Sequence, residues 1–145
     1  MRSIGIFLAL AFFFSSSKVL SQNLESYQWK NRVILLKDTN LDSDWLQAQL
    51  KRLKSSAQEL LEREVVLFLV NNKGVYDGML TKTELQADSI ITKYGLSNFE
   101  GLVLIGKDGT TKLKEEFIVH TSEIIELIDS MPMRKTEMSD TKKID

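Results

Sequence analysis

The chain has 145 residues, of which 43% are hydrophobic and 27% charged, with a formal net charge of −1 and no cysteine. These values describe an ordinary globular domain and exclude disordered, fibrous and disulfide-stapled classes. The charge is well mixed, with no basic stripe of the kind that binds nucleic acid.

The amino terminus reads as a targeting segment. Arg2 gives a positive start, Ile4 to Phe14 form an uncharged apolar run, and Val19-Leu20-Ser21 precede Gln22 as a small-residue cleavage site. The run is about eleven residues, short of the roughly 20 a spanning helix needs. The expected organisation is a signal peptide over 1–21, a domain over 22–133 and a flexible charged tail over 134–145, with an uncleaved anchor as the alternative. A lipoprotein is excluded, since no Cys can carry the lipid. Cleavage after Ser21 removes Arg2 and Lys18, leaving 17 basic against 20 acidic residues and a net charge of about −3. The expected location is periplasmic or extracellular, with no membrane span after cleavage.

Arg32 to Lys37 is an aliphatic run without a polar break, the pattern of a buried strand. After the polar turn Asp38 to Asp44, apolar residues recur at spacings of three and four from Leu46 to Leu61, predicting one long helix that ends near Glu64. Val65 to Val70 is a second buried strand, closed by Asn71-Asn72-Lys73-Gly74. Strand, helix, strand in this order predicts a right-handed crossover with parallel strands. A helix is expected from Thr83 to Tyr94, stopped by Gly95. Leu102 to Ile105 reads as a third strand, Lys107-Asp108-Gly109-Thr110 as a tight turn, and Lys112 to Val119 as an antiparallel fourth strand. Thr121 or Ser122 is expected to cap a last helix running to Ser130, which Pro132 ends or kinks. The order β-α-β-α-β-β-α matches the thioredoxin core: an α/β fold with a central four-stranded mixed sheet flanked by helices.

In that fold the redox thiol sits in the turn between the first strand and first helix, where the helix N-terminus stabilises a thiolate. Here the turn holds no thiol, and Ser97-Asn98-Phe99-Glu100 before the third strand lacks the proline that redox members keep. Thiol-disulfide and peroxidase chemistry are therefore excluded. Asp38-x-Asn40-x-Asp42 opens like a calcium loop, but Ser43 replaces the needed Gly and Gln49 the closing Glu. The favoured reading is a capped helix start, with Asp42 or Ser43 as the cap and Asp44 complementing the helix dipole. His120 is the single histidine, which removes multi-histidine metal sites and leaves a surface or capping role. No phosphate-loop or dinucleotide fingerprint occurs, and Ile105 to Gly109 leads into a strand, so no cofactor is expected. Tyr27 and Trp29 are expected to pack over the sheet edge.

Three stretches carry a resemblance: Tyr27-x-Trp29-Lys30-Asn31-Arg32, Leu104-Ile105-Gly106-Lys107-Asp108-Gly109, and Ile128-Asp129-x-Met131-Pro132-Met133-Arg134-x-x-Glu137-Met138. Together they resemble the P-DUDES family of thioredoxin-like domains, found as exported bacterial proteins and within animal matrix proteins. The resemblance implies sheet order four-three-one-two, an antiparallel third strand and mostly absent redox thiols. It implies no activity. Where the family has an apolar residue and Pro after the first strand, this chain has Lys37-Asp38.

The favoured function is a non-catalytic binding module or structural envelope protein whose partner is another exported or envelope protein. Its recognition face is expected around Asp42, Trp45 and Phe99, where the first turn and the third-strand loop meet. The alternative is that Trp45 and Phe99 are both core residues, and for Trp45, in the first helical turn, the core reading is the favoured one. The rival class is a non-thiol or metal-dependent enzyme built on the acidic turn Asp38 to Asp44.

Overall fold

The computed structural model describes residues 23–144. The expected signal peptide over 1–21 lies outside the described residues. Within them, no helix is long and apolar enough to cross a membrane.

A 3-10 turn, Leu24–Tyr27, leads into β1 (Arg32–Lys37). The chain continues through α1 (Asp44–Ser55), α2 (Ala57–Glu62), β2 (Val65–Asn71), β3 (Gly74–Asp77) and α3 (Ala87–Lys93). It ends with β4 (Gly101–Ile105), β5 (Thr111–Glu115), α4 (Thr121–Ser130) and α5 (Pro132–Thr141). The sheet order is β3-β2-β1-β4-β5. β1 pairs in parallel with β2 from Arg32↔Val65 to Lys37↔Val70, and antiparallel with β4. The crossover and the antiparallel third strand are as expected, and the sheet gains one strand at its edge.

That extra strand is β3. Asn71 to Gly74 does not merely close β2; it turns the chain back on itself. The Asn71 Oδ1 accepts from the backbone of Lys73 at 2.8 Å and Gly74 at 3.0 Å, holding a two-residue hairpin.

The alternating side chains of the buried strands supply two core layers. Val33, Leu35, Val70 and Val103 pack with Ile90 and Ile91 of α3 on one face. Ile34, Leu36, Leu69 and Leu104 pack with α1 and α4 on the other, through Leu46, Leu50, Ile124 and Ile128. Both faces of β1 are therefore covered, which is why its sequence carries no polar alternation.

Four local expectations are corrected. The long helix is two helices, broken at Ser56. The Ser55 hydroxyl donates to the Lys51 carbonyl, the side-chain competition that makes serine a weak helix interior. The helix expected from Thr83 begins only at Ala87; the Thr83 hydroxyl instead bonds the Val75 carbonyl and the Leu85 N–H. It does end on Gly95, at φ +64, with the two bonds of a Schellman motif, Leu96 N–H to Ile91 and Gly95 N–H to Thr92. The fourth strand stops at Glu115, which pairs with Leu102 near the start of β4, and further on the Gln49 amide takes both backbone groups of Val119 at 2.7 and 3.0 Å in place of a ladder. No hydroxyl caps α4, whose N-cap residue is His120.

The largest correction is the tail. Pro132 does end α4, since the residue before it, Met131, is extended, but it also opens α5, occupying the first helical position, where its missing N–H costs nothing. The expected flexible tail over 134–145 is a helix as far as Thr141, anchored by ion pairs described below.

Candidate partner-binding site

The carboxyl end of β1 and the start of α1 form one pole of the molecule. Beyond Lys37, the Asp38 N–H still donates to Val70, so the turn begins under sheet control. The Asp38 carboxylate then accepts from the Asn40 N–H at 2.8 Å and from the Ser43 hydroxyl. The Ser43 oxygen in turn accepts from the Leu46 N–H at 3.2 Å, which caps α1. Asp44 sits in the first turn, beside the positive end of the helix. The acidic turn is thus a relay that starts a helix. Among the described residues no three His, Cys, Asp or Glu side chains cluster closely enough to hold a metal ion.

An open cleft of about 720 Å³ lies at this pole, between the first turn and the loop leading into β4. Trp45 and Phe99 both line it. Trp45 is 65% exposed, so it is not a core residue. Phe99 is half-buried: its ring packs on the first core layer, and the Lys114 ammonium lies 4.9 Å from its centroid. Asp42 is exposed and does not line the cleft; its N–H donates to the Asn40 side chain at 3.0 Å. The structure therefore brings together two of the three expected residues. The sequence reading missed Lys37, which lines the cleft with Asp38, Glu100 and Glu116. No local signal marked it, since β1 carries a charged residue at each end, Arg32 and Lys37.

Gly101, opposite Lys37 on β4, allows the cleft its shape. Its φ is +156, and a Cβ there would lie 2.2 Å from the Glu115 carbonyl and 2.7 Å from the Phe99 ring.

The opposite pole gathers the three sequence stretches that carry the family resemblance. Arg32, 1% exposed, directs both terminal nitrogens at the Glu137 carboxylate, each at 3.3 Å, and bonds the Arg63 carbonyl at 2.9 Å. Lys107, also buried, pairs with Glu137 at 2.6 Å and with Glu64. Beside this set, Asp129 bridges Arg63 at 2.7 Å and Arg134 at 3.3 Å. Burial opposes ionisation of Glu137, but the hydrogen bonds and charges of Lys107 and Arg32 outweigh it and hold its pKa below the ordinary glutamate value. The Arg63 guanidinium likewise holds Asp129 down. Burial works against the Lys107 ammonium, yet its two carboxylate partners leave its pKa raised. At this pole Tyr27 packs edge-on against Phe68 at 5.4 Å, whereas Trp29 is 64% exposed and does not pack as expected.

The sheet, its crossover and the cleft beyond β1 define a thioredoxin-like domain without a thiol. Among solved structures it is similar to the reduced 2-Cys peroxiredoxin of Plasmodium vivax: TM-score 0.54, 20% identity, covering 78% of this chain and 84% of that one. It is similar also to thioredoxin peroxidase I of Plasmodium yoelii, with TM-score 0.56 and 21% identity over 78% and 79% of the two chains. These likenesses concern the fold. No curated protein matches the sequence. The chain belongs to the DUF4174 family, a domain of unknown function, which it matches over residues 23–137.

Proposed function

We propose that the chain is a non-catalytic binding module, exported to the periplasm or outside the cell, whose cleft receives another exported or envelope protein. The observation that carries this reading is Trp45. A large aromatic side chain left in water on the lining of a cleft that also holds a half-buried Phe99 is the arrangement that anchors protein interfaces. Export rests on the first 21 residues, with their positive start, short apolar run and Val-x-Ser site. Kinship with the P-DUDES proteins is part of the same proposal, supported by the meeting of Arg32, Lys107 and Glu137 from its three sequence stretches. A metal or hydrolytic centre in the acidic turn finds no support there, since both Asp38 oxygens already accept hydrogen bonds in the α1 cap.

The test is capture of partners from an envelope extract by the processed protein and by its Trp45→Ala variant. Trp45→Ala should weaken the captured interaction by about 2 kcal/mol or more, while folding stability changes by less than about 1 kcal/mol. Equal capture by both proteins would overturn the reading.

A further inference from the structure

We propose that the floor of this cleft is a carboxylate-binding subsite, with Lys37 as its cation, and that its occupant is a partner peptide carrying an acidic residue close to a basic one. The proposal deepens the binding-module reading and rests on it.

The starting point is an imbalance among the buried cations. Among the described residues, Arg32, Lys37 and Lys107 are the three that the fold encloses. Arg32 and Lys107 each have carboxylate partners. Lys37 is 1% exposed and, among the described residues, makes no ion pair and no side-chain hydrogen bond. Its stem is enclosed, but its Nζ is not among the sealed-off unpartnered atoms, so the ammonium reaches the water of the cleft with no counter-charge beside it. Ordinary packing would have placed an apolar side chain there. β1 needs one by pattern, because Lys37 shares its sheet face with Val33 and Leu35, which belong to the first core layer.

The surroundings leave room for a ligand group in place of a protein partner. On the sheet Lys37 lies between Val70 and Gly101, and the glycine presents no side chain to cover it. The neighbouring Asp38 cannot serve, since its oxygens face Asn40 and Ser43. Glu100 is exposed and accepts from the Thr39 N–H at 3.3 Å, and Glu116 is exposed as well. Both carboxylates belong to the cleft's lining, and neither lies within ion-pair distance of Lys37.

This charge layout selects the ligand. A single cation takes one carboxylate, and the surrounding acids disfavour a doubly charged phosphate. Glu100 and Glu116 in turn attract a positive group lying outside the first. An extended peptide with an acidic and a basic residue satisfies both at once, while its backbone and apolar carbons pack between Trp45 and Phe99. The cleft opens to the surface, as a peptide passing through requires.

The experiment uses the processed protein, capped hexapeptides with a central Glu-Gly-Lys or Gln-Gly-Lys, and free glutamate and lysine as small-molecule controls. Binding is measured by calorimetry, and the Lys37 side chain is followed by NMR in protein carrying labelled lysine. The Glu peptide should bind wild type roughly tenfold or more tightly than the Gln peptide, and it alone should move the Lys37 resonance. Lys37→Met should abolish that preference while keeping the weaker, shared affinity. Equal binding of the two peptides, an unmoved Lys37 resonance, or free glutamate binding as tightly as the peptide would each overturn the proposal. So would the absence of any peptide binding. The NMR arm needs no variant, so it decides even if Lys37→Met fails to fold. Trp45→Ala separates the two readings: if it weakens both peptides while Glu and Gln bind alike, the recognition face stands and the carboxylate subsite falls.

Discussion

Glu137→Gln removes one negative charge from a carboxylate that neutralises two buried cations. The Glu137 oxygens accept from both terminal nitrogens of Arg32 and from Lys107, while Lys107 retains Glu64 and Arg32 retains only the Arg63 carbonyl. Breaking one side of a fully buried pair costs roughly 3–5 kcal/mol. Glu137 keeps 26% exposure, so water replaces part of what is lost, and an expected loss of about 2–3 kcal/mol follows. In a domain of this size each kcal/mol moves the melting temperature by roughly 3–6 °C. Urea denaturation at neutral pH measures the loss, and adding Arg32→Met to the variant should recover part of it, because the stranded charge is then gone. Acid adds a second readout. The folded pKa of Glu137 is depressed, so its stabilisation is complete above the unfolded carboxylate value of about 4.3 and disappears as pH falls through the lower folded value. The variant should therefore lose less stability than wild type over that acid range. A loss below about 0.5 kcal/mol at neutral pH would refute the argument that this pair holds α5 to the sheet.

Gly101→Ala should destabilise by more than about 2 kcal/mol, since a Cβ meets the Glu115 carbonyl and the φ is wrong for a side chain; wild-type denaturation would show that β5 yields there. Ser43→Ala should cost about 1–2 kcal/mol through the lost α1 cap, with Ser43→Thr recovering most of it in the same denaturation assay, and equal losses in the two variants would argue against a capping role.

What the sequence disclosed follows from the range of the interactions involved. β1 is buried on both faces and β2 over its second half, both as apolar runs, and Gly95 and Gly109 stand where positive φ is needed, so both kinds of feature were legible locally. The missed β3 depends on one Asn71 side chain folding the turn back, within a stretch whose composition says only that it is a turn. α5 was missed because its sequence is polar on all sides; its hold on the fold comes from Arg32, 105 positions earlier. The non-strand path at Val119 likewise depends on Gln49, 70 positions away. At the cleft, Trp45 and Phe99 could be placed from the element order alone. Lys37 could not, because a lysine at a strand end is ordinarily solvated, and only the three-dimensional arrangement shows this one enclosed.

The clasp between Arg32 and Glu137 also sets an order of events for a chain made from its amino end. β1 and the crossover to β2 exist long before Glu137 does, so an emerging fragment has Arg32 ready to enter the core with no carboxylate to receive it. Enclosing that guanidinium early is penalised, and the sheet gains its full free energy only once the last helix has been added. A chain that stops short of residue 137 is thus expected to enclose Arg32 less favourably, and to be less stable, than the full domain.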